Sequence, residues 1–322
     1  MNYKTLLFVL SALCSNLGMA GEKTVIHLGV MASGTLAWEL AAIQNHHLLE
    51  NQDFAIETVN LANQQAGKVA LQSGSVDMIV SDWIWVSSMR AEGSDYSFTP
   101  FSNSAGGLLV AADSTIKSLA DLKGKKLGIA GGELDKNWLL LQALGLQQGI
   151  DLNQSVEKVF GAPPLLNQQL TSKRIDAVLT YWQFAARLEA EGYQQLLSGE
   201  QIISQLGVKS SVPSLGYVFK QSWANQHKTA LQQFLATTHI ARDKLCNEED
   251  AAWQQIIALT EAEDPTSQQL IRQRYCQGRV ANWGVANQKA AETVYGFLSK
   301  LGDNKLTGKS GQLQAGTFWS AD

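Results

Sequence analysis

The sequence predicts an α/β protein of two lobes, and three observations carry that expectation. Strand-like apolar runs alternate with helical stretches, the alternation occurs twice, and the last third is almost wholly helical. At 322 residues the chain is long enough for two cores. A composition that is 45% hydrophobic and 17% charged excludes global disorder. The formal charge of −4 provides no basic field, which makes nucleic acid and anionic lipid surfaces poor candidates as partners.

Residues 1–20 combine Lys4, an apolar run from Leu6 to Cys14 and small residues at Gly18 and Ala20. This pattern predicts a secretory signal cut after Ala20 and a soluble product in the periplasm. The apolar run is shorter than the roughly 20 residues of a spanning helix. Leu13, directly ahead of Cys14, argues against a lipoprotein signal. Cleavage would leave Cys246 and Cys276 as the remaining pair in an oxidising compartment, and a disulfide between them is expected.

In the first set, VIHLGVM (25–31) is followed by an amphipathic stretch from Leu36 to Glu50. AIETVNL (55–61), a helix over Ala66–Gln72 and MIVSDW (78–83) complete it. The second set comprises GLLVAAD (107–113), KLGIAG (126–131), a helix through NWLLLQAL, VEKVFGA (156–162), a helix near Leu165–Leu170 and AVLTYW (177–182). SLGYVFK (214–220) reads as one more strand; helices follow from Trp223, and an irregular tail follows Gly302. This rhythm predicts mainly parallel sheets, with crossings near 102–109 and 211–218. The expected lobes are 21–105 with 216–322, including the helical C-terminal part, and 106–215.

Catalytic and metal signatures are missing. The chain has no HExxH, paired Cys-x-x-Cys, GxSxG or GxGxxG. GKS at 308–310 lacks the glycine a phosphate loop needs at 303, where Asp303 stands. Five scattered histidines do not suggest a metal site. No cofactor is expected.

Ligands of open α/β sheets sit beyond the carboxyl ends of the strands, which directs attention to six loops. These are 33–38, 60–65, 81–85, 131–136, 161–167 and 180–184.

GVMASGTLAWELAAIQNHHLLE, VALQSGSVDMIVSD, SLADLKGKKLGIAGG and LLNQQLTSKRIDAVLTYW resemble the solute-binding proteins of bacterial ABC importers for nitrate, taurine, alkanesulfonates and thiamine-type pyrimidine precursors. The resemblance covers nearly all of the expected mature chain. It implies the periplasmic binding protein type II fold, with two lobes joined by two crossing segments. It also implies a monomer that catalyses nothing, closes on a small molecule and delivers it to a permease in the inner membrane. An enzyme on the same fold and a ligand-presenting sensor protein are the alternative classes.

Carried over residue by residue, the resemblance places Ser33, Gly34, Thr35 and Trp38 in the first binding loop. Asn63 lies in the second, and Ser81, Asp82 and Trp83 lie in the third. The facing lobe would supply Gly131, Gly132, Glu133 and Asp135, with Tyr181 and Trp182 after a later strand. Helix starts attract anions, yet Glu133, Asp135 and Asp82 would repel one unless Lys136 turned inward. Five of nine tryptophans, Trp38, Trp83, Trp85, Trp138 and Trp182, lie in or beside these loops. Flat aromatic walls suit a heteroaromatic ring or an organic cation. The expected ligand is therefore a small nitrogen-containing solute, neutral or cationic and pyrimidine-like, with an alkanesulfonate as the alternative. Bland roles fit as well: Glu133 and Asp135 as helix caps, Asp82 as a partner of loop amides, Trp85 and Trp138 as core. Arg187 and Glu189 read as surface charges, and Lys123, Lys125 and Lys126 as a solvated rim.

Overall fold

The computed structural model describes residues 23–31, 34–247, 249 and 251–320. The expected signal segment and Ser33 lie outside the described residues. The chain runs through β1 (Thr24–Met31), α1 (Leu36–Asn45), β2 (Phe54–Leu61), α2 (Gln64–Ser73), β3 (Met78–Ser81), α3 (Trp83–Ala91) and β4 (Tyr96–Ser102). It then crosses at residues 103–106 into β5 (Gly107–Val110), β6 (Lys126–Ala130), α4 (Lys136–Gln147), α5 (Leu152–Ser155), β7 (Glu157–Gly161) and α6 (Pro163–Thr171). β8 (Ala177–Thr180), α7 (Trp182–Ala190), β9 (Gln194–Ser198) and α8 (Gly199–Gln205) complete this part. After a second crossing come β10 (Leu215–Lys220), α9 (Gln221–Gln226), α10 (Lys228–Cys246), α11 (Ala252–Ile256), α12 (Pro265–Gln277) and α13 (Val285–Leu301).

Two five-stranded sheets result, in the orders β2-β1-β3-β10-β4 and β7-β6-β8-β5-β9. Each is evenly mixed, which corrects the expectation of mainly parallel sheets. β1 pairs in parallel with β2 and β3, whereas β10 runs antiparallel to β3 and β4. β6 likewise pairs in parallel with β7 and β8, while β5 runs antiparallel to β8 and β9. β5 and β10 are the strands that follow the crossings; each enters the other lobe's sheet from the cleft side and so runs against its neighbours.

Local sequence sets the helix starts that face the cleft. Asn63, Asp82 and Asp135 accept backbone N–H bonds as the N-caps of α2, α3 and α4. Pro163 opens α6, where its missing N–H costs nothing. α1, α6 and α7 have no side-chain cap; α6 opens on Pro163 and Pro164, which lack an N–H, and in α1 the Ala37 and Trp38 N–H groups donate to Gly34 O and Thr35 O at 3.1 Å.

The C-terminal helices touch both lobes. α13 packs on α4, and α12 packs on α7. α12 is also joined to α10 by the Cys246–Cys276 disulfide, in line with the expected pairing. The tail after Gly302 forms no further long helix but is pinned to the first sheet. Phe98 N–H donates to Thr317 O at 2.8 Å, Trp319 N–H donates to Phe98 O at 2.9 Å, and Arg90 Nε donates to Ala315 O at 2.6 Å. None of the helices formed by the described residues is long and apolar enough to cross a membrane.

Candidate functional site

Four helix starts face one another in two pairs. At one end of the cleft, Trp38 of α1 meets Trp182 of α7 edge to face, with ring centroids 6.2 Å apart. At the other, α3 and α4 flank the second crossing. Trp83 Nε1 donates to Pro213 O at 2.9 Å, and Lys136 Nζ donates to Ser214 O at 3.0 Å. The crossing carbonyl thus holds the Lys136 ammonium, whose charge still pulls on the Asp135 carboxyl without overcoming its burial.

That loop is built on glycine. Gly131 and Gly132 have φ of +85° and +89°, a region that side chains rarely tolerate. A Cβ on Gly131 would lie 2.6 Å from the Tyr181 hydroxyl oxygen and 2.8 Å from Asp135 Oδ2. The glycine therefore lets Tyr181 and Asp135 converge on one spot. Asp135 Oδ1 accepts from Asn137 N–H at 2.9 Å and from Trp138 N–H at 3.1 Å. Burial nevertheless pushes its carboxyl up to about 6, against the pull of these amides and of Lys136. Burial, with the nearby Asp135 charge, pushes the Tyr181 hydroxyl up to about 12. Glu133 is exposed.

Across the cleft, Asp82 Oδ1 accepts Trp85 N–H and Asn63 Oδ1 accepts Ala66 N–H, each at 2.9 Å. Both are working caps with a second carboxylate or amide atom to spare. Two hydroxyls end equivalent strands: Ser81 on β3 and Thr180 on β8. Both are buried, and neither Oγ atom has a hydrogen-bond partner among the described residues. Such groups favour a polar ligand, because a buried unpaired hydroxyl is costly. The loop at 180–184 was legible in the sequence, but the hydroxyl of Thr180 was not singled out.

The aromatic residues divide. Trp83 and Trp138 are 2% and 1% exposed and belong to the core. Trp83 thus presents its backbone and cap to the cleft rather than a ring, because its side chain packs on Tyr295 and Phe318. Trp85 stacks on Tyr96. Trp38 is 4% exposed, packs on Trp253 and Tyr275, and donates from Nε1 to Leu259 O at 3.0 Å. Tyr181, at 37% exposed, is the open ring of the set. Gly34 and Thr35 sit at the start of α1, half-buried.

A second feature was not foreseen. A groove of about 760 Å³ is lined by Ser104 and Ala105 of the first crossing, by Trp182, Tyr193 and Glu200, and by Arg274 and Gly278. Of the residues expected at the site, only Trp182 lines it. Arg187 and Glu189, read from sequence as surface charges, reach the C-terminal helices instead. Glu189 holds Arg274 through bonds of 3.1 and 2.5 Å, and Arg187 donates to Thr260 O at 2.9 Å. Charges on a helix give no hint of a partner some 70 to 85 residues away in the chain.

Below the cleft, Glu39 and Arg242 form a buried ion pair. Tyr275 donates to the same carboxylate at 2.8 Å, and Arg242 also donates to Phe101 O just before the first crossing. Burial raises the Glu39 carboxyl above the usual range against the pull of Arg242 and the tyrosines, and Glu39 in turn raises Arg242.

Solved structures share this architecture. The aliphatic sulphonate binding protein SsuA of Escherichia coli aligns over 89% of this chain and 94% of its own, with 21% identity and a TM-score of 0.68. The alkanesulfonate-binding SsuA of Xanthomonas axonopodis pv. citri, bound to MOPS, aligns over 92% and 99%, with 17% identity and a TM-score of 0.69. The nitrate-binding protein NrtA of Synechocystis aligns over 73% and 66%, with 14% identity and a TM-score of 0.51. At these identities the likeness shows the periplasmic binding protein fold, and these neighbours are binding proteins rather than enzymes. No curated protein sequence matches the chain. Residues 44–252, more than half of the chain, match a family model, and the chain belongs to the NMT1/THI5 like family.

Proposed function

We propose that this protein is the extracytoplasmic solute receptor of an ABC importer, and that it captures a small nitrogen-containing organic solute, neutral or cationic and heteroaromatic. Its proposed lobes are residues 21–105 with 216–322, and residues 106–215. They close on the solute as a monomer and present it to a permease in the inner membrane. Residues 1–20 are the proposed export signal.

The observation that carries the ligand class is the convergence of Asp135 and Tyr181 over Gly131, with Lys136 bonded away to Ser214 O. A carboxylate beside a ring edge, with a further carboxylate at Asp82, favours an amine or a ring N–H donor over an anion. Ser81 and Thr180 offer hydroxyls to ring nitrogens or carbonyls. Gly34, Thr35, Asn63, Gly132, Glu133 and Trp182 complete the proposed lining.

A sulfonate is the second reading, and one observation favours it. The start of α7 has no side-chain cap, and the N–H groups of a helix start attract an anion. A thermal-shift panel of aminopyrimidines, small amines, taurine and alkanesulfonates separates the two. Stabilisation by aminopyrimidines or amines, lost in Asp135→Asn, is the expected result. Stabilisation by sulfonates alone would replace the first reading with the second.

A further inference from the structure

Helix α7 has two buried faces. Ala185 and Leu188 pack into the core under the second sheet, with Leu166, Leu170 and Val178. Ala186 belongs instead to a cluster with Trp38 and Ile43 of α1, Leu245 of α10 and Ile271 and Tyr275 of α12, and Trp182 packs against the same cluster. Spacings of three and four residues put Trp182, Ala186 and Glu189 on one stripe, which is the stripe that meets the C-terminal helices.

α12 is anchored to the first lobe. Cys276 is bonded to Cys246, Tyr275 donates to Glu39, and Arg272 donates to Leu245 O at 3.1 Å and to Asn247 O at 2.7 Å. Gly278 O accepts Asn103 N–H of the first crossing at 2.8 Å. From this anchored helix, Arg274 reaches over the groove to Glu189, whose side chain is only 14% exposed. At the far side, Arg187 of α7 bonds the Thr260 carbonyl. Docked in this way, α7 brings Trp182 of one lip against Trp38 of the other.

We infer that the outer stripe of α7 is an interlobe latch, in which Glu189–Arg274 and Arg187–Thr260 hold the lobes with their lips together. Glu189, Arg274 and Arg187 are thus positioning residues for closure. The inference rests on the two-lobed receptor reading, because α7 starts at the proposed ligand contacts Tyr181 and Trp182. The latch thus sets the resting balance between lips together and lips apart on which solute capture acts.

The test reads lobe separation directly, without solute. Spin labels on Gln72→Cys and Gln168→Cys, both exposed and one on each lobe, report the interlobe distance by pulsed dipolar spectroscopy. The unaltered pair should give one dominant short distance. Glu189→Gln should add a longer population and shift the ratio by about tenfold, the scale of a hydrogen-bonded charge. Arg187→Gln should shift it in the same direction. The exchanged pair Glu189→Arg with Arg274→Glu should restore the short distance, which a general loss of packing would not. An unchanged distance in both single variants, or an exchanged pair as displaced as Glu189→Gln, would overturn the latch. Failure of the receptor reading looks different: no solute then stabilises any variant, while the distances still respond.

Discussion

Asp135 does two jobs that pull its proton in opposite directions. As the cap of α4 it is best ionised, yet burial holds its carboxyl at about 6, above the ordinary 3.8. The folded state therefore binds this proton more tightly than the unfolded chain. The resulting stabilisation is complete below about 3.8 and is lost as the pH rises through 6. Asn keeps the capping oxygen and cannot ionise. Asp135→Asn is expected to gain on the order of 1 kcal/mol relative to the unaltered protein between pH 4 and pH 7.5, measured by denaturant unfolding. A stability difference that does not move with pH would show that the carboxyl is solvated. The same carboxyl gives binding a pH signature: a cationic solute should weaken below pH 6, whereas a sulfonate should tighten. Most of this was out of reach of the sequence. Asp135 next to a predicted helix start was legible as either cap or ligand contact, and it turns out to cap while keeping Oδ2 towards Tyr181. Aromatic counts, by contrast, do not separate wall from core: Trp83 and Trp138 stand beside cleft loops in the sequence and point away from the cleft in the fold.

At the scale of elements, apolar content made strands legible at the centre of both sheets and at one edge of each. VIHLGVM, MIVS, KLGIA and AVLT are found as strands, and so are the more exposed edge runs in AIETVNL and VEKVFGA. β4 and β9 escaped for physical reasons. Each is an edge strand, as are β2 and β7, but β4 carries Pro100, tolerated where the register shifts opposite Leu215 and Gly216, and β9 reads QQLLS with little apolar content. Helix α12 was legible as a helix but not as a bridge, because its partners lie far away in the chain. Its disulfide closes a loop with a sequence separation of 30 residues. Replacing both cysteines by serine is expected to cost about 3 to 4 kcal/mol in thermal or denaturant unfolding. A loss below 1 kcal/mol would mean that packing against α7 and the Glu39 network hold α12 without the cross-link.

Taken whole, the molecule is two mixed sheets related by the same wiring, with β5 and β10 as mutual exchanges between them. This wiring puts the carboxyl ends of β1, β3, β6 and β8 at one cleft, which is why four helix starts meet there. Burial of Ser81 and Thr180 at the ends of matching strands gives each lobe one hydroxyl at the same place. Native mass spectrometry of the protein purified without added solute, followed by denaturation to identify what is released, tests solute capture. A released small heteroaromatic or amine of defined mass, in one copy per chain, is the predicted result. An empty protein that no amine, pyrimidine or sulfonate stabilises would contradict the receptor reading itself.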